Sequence, residues 1–161
     1  MDAPSVKNTD TATFKGYDAG KKVSGIKRHL GGDVCGLPFA WAVTTAQVTD
    51  LQGALLALHV GKANLSGVQT VLGDGGDTGE SLAEEVRAMI GVEVEISKRR
   101  DLPGFVVQPQ RGIVERSFGW LEKSRRLWEN CERKIRTSHP MTSLALLIVL
   151  LRRLGRSQTG S

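Results

Sequence analysis

Two apolar runs, Ile26–Val34 and Leu37–Thr45, stand on either side of Cys35-Gly36. That spacing predicts two strands joined by a tight turn, a β-hairpin. Beyond the hairpin, helix and strand signals alternate. Asp50 is the expected N-cap of a helix over Leu51–Val60, where Leu51, Leu55 and Leu58 share a face. Val68–Leu72 reads as a short strand that runs out into Gly73-Asp74-Gly75-Gly76. Thr78 introduces a second helix, Glu80–Ile90, whose early turns carry Glu80, Glu84 and Glu85, as the helix dipole favours. Gly91 closes it, and Val92–Ile96 alternates like another strand. Beyond a basic loop, Phe105–Val107 reads as a short extended piece. A long helix over Gly112–Trp128 and an apolar helix over Met141–Leu154 complete the order. Residues 7–24 read as a polar loop bearing Lys15, Lys21 and Lys22, and the tail after Leu154 as frayed. A hairpin followed by helix–strand alternation predicts an α/β fold with right-handed crossovers and helices packed on the sheet.

Composition narrows the classes. A chain of 161 residues with 40% hydrophobic content fits one domain with a real core. Cys35 and Cys131 belong to no CxxC pair, which excludes a disulfide framework and fits the cytoplasm. The opening residues lack a secretory apolar stretch. The longest apolar run, Leu144–Leu151, is far short of the ~20 residues that span a bilayer. It reads as a buried C-terminal helix, with no membrane contact.

The net charge of +5 is unevenly spread. Residues 50–94 hold two basic and seven acidic groups, whereas residues 95–136 hold eleven basic and six acidic. Such a layout suits a cation site beside a phosphate-binding surface, or simply solvated helix faces. The segment GDGGDTGE is neither GxGxxG nor a P-loop, since Thr78 replaces the third glycine and no lysine follows. His29, His59 and His139 have no nucleophile-elbow partner. His29, within Lys27-Arg28-His29, reads as a solvated surface group.

The carboxylates are more informative. Asp74 stands where a strand ends among glycines, the carboxyl end at which open α/β sheets build their sites. Glu115 lies in the first turn of the long helix, and Gly119, four residues on, shares its face. Thiolate-free carboxylate sites favour Mg²⁺ or Mn²⁺. A turn aspartate and an ordinary helix-start glutamate are the alternatives.

Several ordered stretches resemble one family. The run YDAGKKVSGIKRHL (Tyr17–Leu30), then GLPFAW and Gln47-Val48-Thr49-Asp50, is similar to bacterial insertion-sequence transposases of the IS5 group, in the DDE superfamily. Gly73–Gly79 resembles that family's second-aspartate motif and Arg111–Leu127 its glutamate helix, while Ser5-Val6-Lys7 follows the first aspartate. The resemblance covers roughly residues 2–154. It implies a ribonuclease H-like mixed sheet flanked by helices, with the first strand largely missing. Residues 1–154 would form the catalytic domain, incomplete at its N-terminus, and 155–161 a disordered tail.

The resemblance also implies chemistry. Asp2, Asp74 and Glu115 match the acidic triad and would hold Mg²⁺ or Mn²⁺ for cleavage and transfer of DNA strands at the element ends. Arg111 matches the arginine of the tyrosine–arginine–glutamate–lysine signature. Gln108 replaces its tyrosine, Glu122 stands at the lysine spacing, and Lys123 follows. Double-stranded DNA, the terminal repeats and the target, is the implied partner. Lys21, Lys22, Lys27, Arg28, Arg111, Arg116, Lys123, Arg125 and Arg126 would hold its phosphates. Trp120 and Trp128 are expected in the core or an interface. Because Asp2 is the second residue, a decayed gene, an internal start and a frameshifted second reading frame are the candidate origins. A catalytically inactive remnant that binds DNA or pairs with intact transposase is the alternative function. Self-association or pairing with an upstream-frame product is the corresponding expectation for assembly.

Overall fold

The computed structural model describes residues 3–10, 12–74, 79–97 and 113–158. Its centre is a long strand, Val23–Gly32. In chain order the strands are β1 (Ser5–Lys7), β2 (Gly16–Asp18), β3 (Val23–Gly32), β4 (Pro38–Thr45), β5 (Thr70–Asp74) and β6 (Glu93–Ser97). The helices are α1 (Asp50–Val60), α2 (Gly79–Ile90), α3 (Ile113–Glu122) and α4 (Ile135–Gln158). β3 pairs antiparallel with β4 from Ile26↔Thr45 to Gly32↔Pro38. The expected hairpin is present. The Asp33 carboxylate accepts from the N–H groups of Cys35 and Leu37 at 2.9 and 2.7 Å, and Gly36 takes φ 80°. A side chain that mimics a backbone turn and a glycine in left-handed space together close the loop.

β1 and β2 also pair antiparallel with β3, at Ser5↔Lys27 and Tyr17↔Ser24. Both fall at or inside the stretch read as loop. Three-residue strands carry no readable period; they exist because β3 offers them a ladder. Gly25 makes this pairing feasible, since a Cβ there would run into the Val6 carbonyl oxygen. β5 and β6 form a parallel pair from Thr70↔Glu93 to Asp74↔Ser97, with α2 as the crossover. The outcome is a mixed α/β architecture with antiparallel and parallel pairs flanked by four helices, consistent with a ribonuclease H-like fold.

Alternation along β3 and β4 divides the core in two. On one side Ala40 packs with Ala54 and Leu58 of α1, Val71 of β5, and Leu82 and Val86 of α2. On the other, Leu30 packs with Phe118 and Leu121 of α3, Leu127, and Ala145 and Leu146 of α4. Three helical expectations shift. Thr49, not Asp50, caps α1, its hydroxyl accepting from the Gln52 N–H at 3.2 Å; Asp50 is the first helical residue and serves an ion pair instead. The helix expected to reach Trp128 ends at Glu122, and a 3-10 turn at Arg125–Leu127 follows. That break turns Leu127 inward, where it is 4% exposed. α4 starts six residues before Met141 and carries Pro140 inside it, at the loss of one helical hydrogen bond.

The C-terminal helix is only half buried. Ser138, Thr142, Ala145 and Leu146 face the core, whereas Leu144, Leu147, Ile148 and Leu151 are exposed. Among the described residues no helix is long and apolar enough to cross a membrane. Cys35 and Cys131 are free and exposed.

Candidate active site and basic surfaces

Asp74 is the last residue of β5, at the carboxyl end of a parallel pair and opposite Ser97. Glu115 is the third residue of α3. That helix is fixed against the β3–β4 hairpin in two ways. Buried Ser117 donates its hydroxyl to the Gly36 carbonyl in the turn. Phe118 and Leu121 pack on Leu30. Asp2 and Arg111 lie outside the described residues, as do Gln108 and Phe105–Val107.

The start of β1, three residues after Asp2, is tied into a polar cluster. Ser5 donates its hydroxyl to Asp18 Oδ2 at 2.7 Å. Lys27 Nζ lies 3.2 Å from the same carboxylate and 2.9 Å from Asp50 Oδ1, and it donates to the Val48 carbonyl at 3.0 Å. The Ser5 hydroxyl, the Lys21 N–H and the Lys27 ammonium hold the Asp18 carboxyl well below the usual carboxylate range. Burial works against the Lys27 charge, but its bonds to Asp50 and Asp18 outweigh that and raise its pKa. Lys21 Nζ donates to the Ala3 carbonyl at 2.8 Å, one residue from Asp2 in sequence.

The three residues Lys27-Arg28-His29 are all buried, so none of them is a solvated surface group. Lys27 and Arg28, expected to hold DNA phosphates, are committed inside the fold. Arg28 points to the α3–α4 side, where its Nη1 donates to the Leu127 carbonyl at 2.6 Å and its Nε has no partner among the described residues. Burial pushes its pKa down to about 10. His29 is 1% exposed, against the expectation of a solvated histidine. Its Nε2 lies 2.8 Å from Thr44 Oγ1, and its ring fills the space above Gly53 of α1, where a Cβ would overlap it. Burial pushes its pKa down to about 4. The reason is register: strand residues alternate between two faces, and both faces of β3 are covered by helices.

The other expected phosphate contacts stand differently. Lys21, Lys22, Arg116, Lys123 and Arg126 are exposed. Arg125 falls in the 3-10 turn. Trp120 is half-buried, with the Arg153 guanidinium 4.1 Å from its ring centroid. Trp128, expected in the core or an interface, is 79% exposed.

A further group had no assignment from sequence. Arg133 and Lys134, just before α4, and Arg136 in its first turn are exposed, and Phe14 is exposed beside Lys134 and Arg136. The run Arg133-Lys134-Ile135-Arg136 was the available signal, but its meeting with Phe14, some 120 positions earlier, is a tertiary fact. Buried polar groups join the two segments. Asn130 Nδ2 donates to Asn8 Oδ1 at 2.8 Å, Ser138 Oγ donates to Asn130 Oδ1 at 2.8 Å, and Asn8 Nδ2 donates to the Phe14 carbonyl at 2.9 Å.

Against known families, the model described as "Transposase DDE domain" matches residues 1–151 of the chain. No curated protein and no solved structure matches it.

Proposed function

The chain belongs to the DDE transposase family, whose role is DNA transposition, and on that premise we propose that it cuts and joins DNA strands at the ends of an insertion sequence, with residues 1–154 as the catalytic unit. The observation that carries this reading is the placement of Asp74. It ends a strand of the parallel pair, the position from which α/β sheets present catalytic groups. Glu115 belongs to a helix that Ser117 and Phe118 hold against the hairpin.

Asp2, Asp74 and Glu115 supply oxygen donors only, and both cysteines lie elsewhere in the sequence. That donor set fits a hard divalent cation, Mg²⁺ or Mn²⁺. When bound, the metal supplies charge neutralisation at the phosphate under attack. The chain's own contribution is positional. The Ser5–Asp18–Lys27–Asp50 cluster fixes the strand that comes after Asp2. Lys21 brings a positive charge to the Ala3 carbonyl beside it. Exposed Lys22, Arg116, Lys123 and Arg126 are left to hold DNA phosphates, with Arg111 and Arg125. Lys27 and Arg28 take no part in that contact.

The test uses the full chain with DNA carrying the element's terminal repeats, in Mg²⁺ and in Mn²⁺. Metal-dependent nicking is expected, and Asp74→Ala or Glu115→Ala should reduce it to background. Cleavage by both variants at the parental rate refutes the proposed site. Salt-sensitive DNA binding without cleavage by the parent chain would instead establish the inactive, regulatory reading.

A further inference from the structure

A cavity of about 350 Å³ is lined by Phe14, Lys134, Ile135 and Arg136. We propose that it binds an unpaired nucleotide of single-stranded DNA, with the base stacked on Phe14 and the flanking phosphates held by Lys134 and Arg136. The proposal rests on the DNA-processing function and adds a site apart from the three carboxylates. The cavity lies at the small end of ordinary ligand pockets, ~300–1,000 Å³.

Three observations converge on this ligand. Phe14 leaves 56% of its surface exposed, an expense of apolar area on a loop that is otherwise firmly held. The Thr13 N–H donates to the Arg133 carbonyl at 3.1 Å, Ala12 N–H to the Thr9 carbonyl at 3.1 Å, and Asn8 Nδ2 to the Phe14 carbonyl at 2.9 Å. The ring is therefore presented on a backbone fixed before any ligand arrives, which lowers the ordering cost of binding.

Charge supplies the second observation. Lys134 and Arg136 line the cavity, Arg133 adjoins Lys134 and Lys15 adjoins Phe14 in sequence, and all four are exposed. None of them forms an ion pair with a described carboxylate. The third is that no acidic group stands among the described lining residues. An aromatic ring beside cations that form no ion pair with a described carboxylate matches a base with its phosphates, because every base offers a π-face and every linkage a negative charge. A duplex keeps its base faces inside the stack, so the ring selects an unpaired nucleotide.

The experiment titrates the full chain into a fluorescein-labelled twelve-nucleotide thymidine strand and into a blunt duplex. A second strand carries one 2-aminopurine, whose emission reports stacking. Phe14→Ala should weaken single-strand binding about tenfold and abolish the 2-aminopurine change, while Phe14→Trp restores both. The pair Lys134→Ala and Arg136→Ala should reduce the salt slope by about 1.4. Parental affinity in Phe14→Ala, or an equal loss on the blunt duplex, overturns the inference. The carboxylate reading fails separately, through cleavage that persists without Asp74 and Glu115. An unchanged urea midpoint in Phe14→Ala shows that the fold is intact when binding is compared.

Discussion

Two short basic runs in this chain have opposite fates. Lys27-Arg28-His29 is buried to the last residue, and each member has an internal assignment: Asp18 and Asp50 for Lys27, the Leu127 carbonyl for Arg28, Thr44 for His29. Arg133-Lys134-Ile135-Arg136 keeps all three cations exposed and free of described ion pairs. The difference lies in the elements that carry them. A central strand covered on both faces buries whatever its sequence holds, so its charges must find partners or lose protons. The bend leading into a half-exposed helix, with its first turn, makes no such demand.

This contrast can be broken experimentally, and the buried run should show the larger effects. Arg28→Ala empties a side-chain volume and leaves the Leu127 carbonyl without its donor. It should cost about 4 kcal/mol in urea unfolding. Arg28→Met should cost much less, because the shape is kept and the desolvated charge is gone. An Arg28→Ala midpoint equal to the parent's would mean that the guanidinium is not committed to the core.

The next effect is a pH dependence set by His29. Its folded pKa of about 4 lies below the ordinary value near 6.5. Between those values the unfolded chain binds a proton that the folded chain refuses, so stability falls as the pH drops. Stability from this group is complete above roughly pH 6.5, and about 3 kcal/mol is lost by pH 4. Unfolding curves across that window should lose this slope in His29→Gln. A slope unchanged by the substitution would assign it to other groups.

Gly53→Ala sharpens the same comparison from the helix side. In an exposed helix the change stabilises by up to ~1 kcal/mol. Here the new methyl meets the His29 ring, and a net loss of about 2 kcal/mol is expected. The double variant Gly53→Ala with His29→Ala should cost less than the two single losses together. Additive losses would show that the helix and the ring do not touch.

The exposed run should give the smallest stability effect. Lys134→Ala with Arg136→Ala should leave the urea midpoint within about 0.5 kcal/mol, whatever it does to DNA binding.

Much of the architecture was legible. The hairpin, α1, the β5–α2–β6 unit and an apolar C-terminal helix all announce themselves through period and punctuation. β1 and β2 do not, because three residues show no period and only the ladder of β3 makes them strands. The early end of α3 was also hidden. Residues 113–128 suit a helix locally, and the burial of Leu127 together with its bond to Arg28 breaks it. Of the proposed site residues, Asp74 and Glu115 stand out in the sequence at a strand end and a helix start, whereas Phe14 looks like one residue of a polar loop. Composition likewise marked residues 95–136 as basic without separating surface charge from buried charge.

The sequence by itself determined the family to which the chain belongs and the order of its longer elements, because these are written in local pattern and spacing. Only the tertiary structure decided which cations meet solvent. Burial depends on the strand or helix that comes to lie over a residue, and that neighbour is set by contacts distant along the chain.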